Sequence, residues 1–152
     1  MSKNKRLIWF KGDMVAIENA TINVLSPTSQ FGANVFEGLR AYWVASEKQL
    51  YVFRLPEHVD RLQNSMKMME FEHSFTKEFL QQSVIDIIQA NEFEEDLICR
   101  QTVFLGGFGN WSATGPVEMF IAPMAKGRYY ELGQGINVCV SSWERINENS
   151  LS

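Results

Sequence analysis

The sequence of 152 residues is poor in the side chains that build metal and disulfide sites, since it has only two cysteines and two histidines. Cys99 and Cys139 lie far apart in separate apolar runs, and neither has a Cys or His neighbour at metal-ligand spacing. His58 and His73 share no such spacing with a cysteine either. We therefore predict no metal site and two reduced, buried cysteines, as is typical of a reducing compartment.

Long hydrophobic runs and clustered basic charge are missing as well. The apolar run at residues 7–10, after the basic start, is too short for a signal peptide, and no stretch is long enough to cross a membrane. The net charge of −4 and the scattered Lys and Arg residues leave no basic stripe for nucleic acid or a membrane surface. The sequence therefore predicts a cytoplasmic protein whose partners are small molecules or other protein chains.

The common phosphate-binding and nucleophile motifs are also incomplete. The glycine-rich segment 106–115 lies between two predicted strands and opens no helix, which argues against a dinucleotide or P-loop site. The chain has no G-x-S-x-G motif of a serine hydrolase. We interpret the glycine-rich segment as a long hairpin loop that shapes the mouth of a pocket.

The residues that are present predict a single folded unit. A hydrophobic content of 45% in 152 residues is enough for one core. Period-2 patterns and β-branched residues predict strands at residues 6–10, 14–17, 39–44, 49–54, 97–105, 117–122 and 136–142. Helices are predicted from Pro56 and over residues 76–91. This order predicts an α+β fold, a two-layer sandwich of a largely antiparallel sheet with two helices on one face.

The first predicted helix places an arginine beside its buried stripe. The apolar residues of that stripe recur at three- and four-residue steps: Val59, Leu62, Met66 and Met69. His58 and Arg61 follow an adjacent stripe, so Arg61 can lean over an edge of the core. A guanidinium held there can bind a phosphate dianion through two parallel N–H donors. The alternative is an ordinary surface arginine, which is what most arginines on a helix flank are.

The segment 31–42, FGANVFEGLRAY, combines a predicted tight turn between Gly32 and Gly38 with the start of a strand. It resembles the YGxxVFEGxRxY signature of the branched-chain amino acid aminotransferases, enzymes of fold type IV that use pyridoxal phosphate. Three further segments resemble motifs of that family in the same order: WFKGDMV at 9–15, EHVDRL at 57–62 and VSSWER at 140–145.

The resemblance implies that residues 1–145 form the N-terminal, smaller domain of such an enzyme and that residues 146–152 begin a linker. The Schiff-base lysine of the family would then lie beyond Ser152, in a large domain absent from this sequence, so no catalytic residue is expected here. The implied reaction moves an amino group between a branched-chain or other hydrophobic L-amino acid and 2-oxoglutarate. The implied state is a homodimer, and the isolated chain is expected to be inactive.

The resemblance also implies roles for single residues. Arg61 falls on the family arginine that holds the phosphate of pyridoxal phosphate. Six residues fall on substrate-binding positions: Phe31, Phe36, Gly38, Arg40, Ile98 and Arg100. Phe31 and Ile98 stand where many members have tyrosine, and residues 124–126 replace a segment with a tryptophan. The loss of two hydroxyl groups predicts a more apolar pocket, because hydrogen-bonded polar groups discriminate substrates strongly.

Two alternatives remain open at this stage. A D-amino-acid aminotransferase or an aminodeoxychorismate lyase has the same fold type, although the EGxR sequence at residues 37–40 favours the branched-chain group. The alternative from another class is a non-catalytic binding module built on the same sandwich. A lysine beyond Ser152 in the parent gene would distinguish an enzyme from such a module.

Overall fold

The computed structural model describes residues 6–127 and 135–147. The strands and helices follow the chain in this order: β1 Leu7–Phe10, β2 Asp13–Ala16, α1 Pro27–Phe31, β3 Asn34–Val44, β4 Gln49–Val52, α2 Leu55–Met68, α3 Lys77–Ala90, β5 Leu97–Leu105 and β6 Val117–Ala125. A single 3-10 turn, Ile17–Asn19, follows β2. The strand–helix–strand order is the one that the sequence predicts.

Six strands form one sheet in the order β2-β1-β6-β5-β3-β4, and every neighbouring pair is antiparallel. The two long helices, α2 and α3, supply the other layer, and their buried residues share one core with the strands. The predicted α+β fold is therefore confirmed. The two predicted hairpins, β1 with β2 and β3 with β4, form as expected, and the glycine-rich segment connects β5 to β6.

Helix α2 buries the predicted stripe over most of its length. Val59, Leu62 and Met66 are fully buried. Met69, the last predicted member, is 45% exposed because the helix ends at Met68 and the stripe ends with it. That part of the prediction is wrong.

Helix α3 begins at Lys77, directly after its capping residue Thr76, within the predicted range 76–91. The Thr76 hydroxyl accepts a hydrogen bond from the Phe79 N–H at 3.2 Å, which satisfies one of the free N–H groups of the first turn. Phe79, an apolar residue of the first turn, is substantially exposed. Its ring lies at the rim of the core against Trp9 and Phe75.

The predicted turn between the two glycines of segment 31–42 does not form. Pro27 occupies the first turn of α1, and Ser26 caps that helix. Gly32 ends α1 in the left-handed conformation with φ of 68°, which a glycine adopts without strain. The chain has therefore already turned before Asn34, and β3 includes Gly38 in its interior.

The predicted strand at residues 136–142 is absent from the structure. No regular element is assigned to these residues, and Ile136, Val138 and Val140 are exposed. A strand needs a neighbour for its backbone N–H and C=O groups, and none of the described strands pairs with this segment. The alternating sequence alone was therefore not sufficient to make a strand.

The two cysteines have opposite environments. Cys99 is buried in the core, and burial raises the pKa of its thiol to about 12. Cys139 is exposed, which corrects the prediction that both are buried, because it lies in the segment that does not join the sheet. Both cysteines are free thiols.

Within residues 6–127 and 135–147, no helix combines the length and the apolar character needed to cross a membrane. No three His, Cys, Asp or Glu side chains of the same ranges come together as a metal site.

Candidate functional site

One face of the sheet gathers most of the predicted substrate-binding residues. Leu39 and Ala41 of β3 point into the core, so the alternate residues of that strand point to the opposite face, which we call the open face. Gly38 pairs with Arg100 across β3 and β5, and Arg40 pairs with Ile98. The open face therefore brings together five predicted residues from two strands: Phe36, Gly38, Arg40, Ile98 and Arg100.

Two guanidinium groups lie beside Gly38 on the open face. The Arg100 guanidinium lies over the Phe36 ring at 4.5 Å from its centroid, and that of Arg40 lies over Tyr42 at 5.6 Å. Arg40 also donates from Nη2 to the carbonyl of Gly127 at 3.3 Å. A Cβ atom added to Gly38 would meet nothing within 4 Å, so space is open above the strand at this point. This arrangement can bind a carboxylate beside an apolar wall.

The backbone of β3 has a free edge beside this space. Ala33 O accepts from the Leu105 N–H at 3.0 Å, whereas Arg40 O accepts from the Phe53 N–H at 2.8 Å, on the other side of the strand. Because N–H and C=O groups alternate in direction along a strand, those of Gly38 point away from β5. Strand β4 pairs with β3 only from Ala41 onward, so among the described strands none covers this edge.

Arg61 lies on the other side of β3, where it binds a buried carboxylate. Its Nε donates to Oε1 of Glu37 at 2.6 Å, and its Nη2 donates to Oε2 of the same side chain. His58 Nδ1 lies 2.8 Å from Glu37 Oε2. We call Glu37, His58 and Arg61 the Glu37 cluster, which lies beside the free edge because Glu37 is the residue between Phe36 and Gly38.

The contacts within the Glu37 cluster favour the charged forms of Glu37 and Arg61. Glu37 is only 3% exposed, and burial by itself opposes ionisation of its carboxyl group. The hydrogen bonds from Arg61 and His58, and the positive charge near it, outweigh that effect and lower the pKa of Glu37 below its ordinary value. The same contacts raise the pKa of Arg61. The structure thus holds a carboxylate and a guanidinium as an ion pair at neutral pH.

Part of the Arg61 guanidinium stays available to a ligand. Its side chain is 67% exposed, and Nη1 makes no hydrogen bond to any described residue. A shallow cavity of about 210 Å³ adjoins it, lined by Arg54, Glu57, His58 and Arg61. Glu57 is bound by Arg54 at 2.9 Å, which offsets its charge. The cavity therefore offers a cationic N–H donor to an anion.

Phe31 is the one predicted substrate residue that lies apart from the others. It ends α1 and lines a different surface cavity, next to Phe108 and Asn110 of the glycine-rich loop. Glu37, in contrast, is a site residue to which the sequence analysis assigns no role. The available signal was an acidic residue in phase with Leu39 and Ala41, two core positions of the same strand.

Comparison with known proteins identifies the family of the chain. Residues 34–152 match the family described as Amino-transferase class IV. The branched-chain-amino-acid aminotransferase of Escherichia coli (strain K12) is 36% identical over 156 residues, covering 99% of this chain and 50% of the relative.

Two solved structures are similar in fold as well as in sequence. A branched-chain aminotransferase from the archaeon Thermoproteus uzoniensis, solved with norvaline, has a TM-score of 0.87 and 34% identity, over 95% of this chain and 48% of its own. The branched-chain amino acid aminotransferase of Thermobaculum terrenum, in its PLP form, has a TM-score of 0.84 and 31% identity, over 99% and 50%. The chain spans about half the length of the relatives it matches. By the family match and these relatives, the chain belongs to the class IV aminotransferases.

Proposed function

We propose that this chain is the small domain of an aminotransferase that moves an amino group between a hydrophobic L-amino acid and 2-oxoglutarate, with pyridoxal phosphate as cofactor. The observation that carries the proposal is the free edge of β3 at Gly38. It has arginines on the open face and the Glu37 cluster on the other face. A cofactor and its substrate placed at this edge can contact both.

The residues present fit the phosphate group of pyridoxal phosphate. The available Nη1 of Arg61 is a donor that stays charged at every physiological pH. The two carboxylates nearby do not oppose an anion strongly, since Glu37 is buried under Arg61 and Glu57 is bound by Arg54. When bound, the cofactor supplies the electron sink for transamination.

The residues of the open face fit the substrate. Arg100 and Arg40 supply positive charge for a carboxylate, while Phe36 and Ile98 supply apolar surface for a side chain. In this proposal they orient the substrate and exclude water from it. Since an apolar site discriminates by about 1–3 kcal/mol per methylene, leucine should be turned over faster than serine in a substrate panel. Comparable turnover of the two amino acids would contradict the proposal.

We place the cofactor-binding lysine of the complete enzyme outside this chain. Among the described lysines, Lys11 binds Glu118 at 2.8 Å and Lys77 contacts Asp60, so both amines are held as surface ion pairs. The test is to mix the 152-residue chain with pyridoxal phosphate, reduce with borohydride and map the labelled peptides. Stoichiometric labelling of one lysine, with turnover of an amino acid, would overturn this placement. A homodimer and a cytoplasmic location stay predictions.

The phosphate role of Arg61 is tested in the complete protein by Arg61→Ala. Hydrogen bonds to charged groups are among the stronger ones, so the affinity for pyridoxal phosphate should fall by about 10- to 100-fold. The buried apolar residues of α2 are unchanged, but the variant leaves the buried Glu37 carboxylate with His58 as its remaining described partner, so thermal unfolding of the variant is measured alongside cofactor binding. Lys67→Ala, which removes an exposed cation from the last turn of the same helix, is the matched control. Equal cofactor retention by both variants would rule out this role.

A further inference from the structure

A carboxylate is energetically unfavourable at the buried position of Glu37. Glu37 is in phase with Leu39 and Ala41, both fully buried on the core side of β3, and is itself 3% exposed. Burying a carboxylate carries a desolvation penalty that an ion pair often only just repays, so apolar residues are usually as good for stability. Stability alone therefore does not account for Glu37.

The contacts of Glu37 with Arg61 account for a carboxylate at this position better than stability does. Arg61 projects from α2 into solvent, where a long side chain samples many rotamers. The Glu37 carboxylate accepts from both Nε and Nη2, and this two-point contact fixes the plane of the guanidinium. His58 contacts the same carboxylate and limits its rotation. Of the three guanidinium nitrogens, Nη1 is the one left for a ligand in the adjacent cavity.

We infer that Glu37 is a positioning residue, which orients Arg61 so that Nη1 meets the phosphate of the cofactor, and which ties this contact to the strand that carries Phe36 and Gly38. The inference rests on the proposed function, because it takes Arg61 as the phosphate ligand. Glu37 itself touches neither cofactor nor substrate. Its effect on phosphate binding passes entirely through Arg61.

A double-mutant cycle in the complete protein tests this inference through binding and not through turnover. The four proteins are the wild type, Glu37→Gln, Arg61→Ala and the double variant. The probes are pyridoxamine 5′-phosphate and pyridoxamine, which differ only by the phosphate group. Titration calorimetry of the cofactor-free protein gives both affinities.

Glu37→Gln should weaken binding of pyridoxamine 5′-phosphate by about tenfold, the size typical of a residue that orients a ligand-binding group. Binding of pyridoxamine should stay within about twofold, and the loss should disappear in the Arg61→Ala background because the two residues act as one unit. Glu78→Gln, which removes the charge of an exposed carboxylate in the first turn of α3, outside this cavity, is the matched control and should change neither affinity more than about twofold.

The outcomes separate this inference from the proposed function. Equal affinity of wild type and Arg61→Ala for the phosphorylated probe would overturn the phosphate role itself. A normal loss in Arg61→Ala, with a Glu37→Gln loss that persists in the double variant or extends to pyridoxamine, would overturn only the role of Glu37. If Glu37→Gln fails to fold, the wild type still decides through the nitrogen–proton NMR signal of Arg61 Nε. A slowly exchanging signal is expected, and rapid exchange as in a free arginine would overturn the inference.

Discussion

Around Gly38, the two faces of the same sheet have opposite properties. The face under α2 and α3 is dry, and Leu39, Cys99 and Ile121 are fully buried there. The open face carries Phe36, which is 52% exposed, and the guanidinium of Arg100. Neighbouring residues of β3 thus alternate between the buried core and the face on which we propose that the substrate binds. A slip of one residue in the pairing of β3 would exchange these roles, which is why its long register with β5 matters.

Glu37 is the charged residue on the otherwise apolar core side of β3. It occupies a position on the core side, yet its partners lie at the rim of α2, where solvent reaches Arg61. The core side is therefore not uniformly apolar along β3. Leu39 is still apolar beyond the residues that pair with β4, and Glu37, two residues earlier in the strand, is ionic.

The largest contrast should come from truncating one residue on each face. Leu39→Ala removes a fully buried side chain and should lower the free energy of unfolding by about 2–5 kcal/mol. Phe36→Ala, three residues earlier in β3, should cost less than about 1 kcal/mol in the isolated chain because half of the ring is already in solvent. Urea unfolding of both variants measures the difference. Equal losses of unfolding free energy would show that Phe36 contributes as much to stability as the buried Leu39.

An intermediate effect should appear in the pH dependence of stability. The pKa of Glu37 is lower in the folded chain than its ordinary value of 4.5, so the ionised carboxyl stabilises the fold above that pH. The wild type should be more stable than Glu37→Gln by about 1 kcal/mol at pH 7, a figure reduced because solvent screens Arg61. This advantage should shrink as the pH falls below about 4.5 and Glu37 becomes protonated.

Urea unfolding of the wild type and Glu37→Gln between pH 3 and pH 7 checks this prediction. Glu57→Gln is the comparison variant, because the pKa of Glu57 is also lowered by its contact with an arginine, Arg54, but in an exposed position. Its stability difference from the wild type should be clearly smaller than that of Glu37→Gln. A difference for Glu37→Gln that stays constant across this pH range would mean that the ion pair does not stabilise the fold.

The smallest effect on stability should come from Gly38→Ala, and this variant separates stability from binding most sharply. An added Cβ meets no atom within 4 Å, so the change should be neutral or stabilise the chain by up to about 1 kcal/mol through the loss of backbone freedom in the unfolded state. The same methyl group fills the space beside Arg100. Substrate affinity of the complete enzyme should therefore fall while thermal unfolding is unchanged or slightly raised. Unchanged affinity would show that the substrate does not bind beside Gly38.

The fold could be predicted well wherever a local pattern agrees with its surroundings. The stripe of Val59, Leu62 and Met66 and the alternation at Leu39 and Ala41 each correspond to a buried face in the structure. The pattern at residues 136–142 is just as regular, and it forms no strand. The difference is that a strand depends on a partner, whereas a helix satisfies its own backbone.

The sequence by itself determined the family motifs, the two long helices and the alternation of β3 from Leu39 onward, because each depends on spacing along one element. Only the tertiary structure decided that Arg61 binds Glu37, since this contact joins residues 24 positions apart on different elements. It also decided that β4 leaves the edge at Gly38 uncovered, because strand pairing depends on the path of the chain through space. The buried ion pair and the free edge are therefore products of packing, and no local pattern records them.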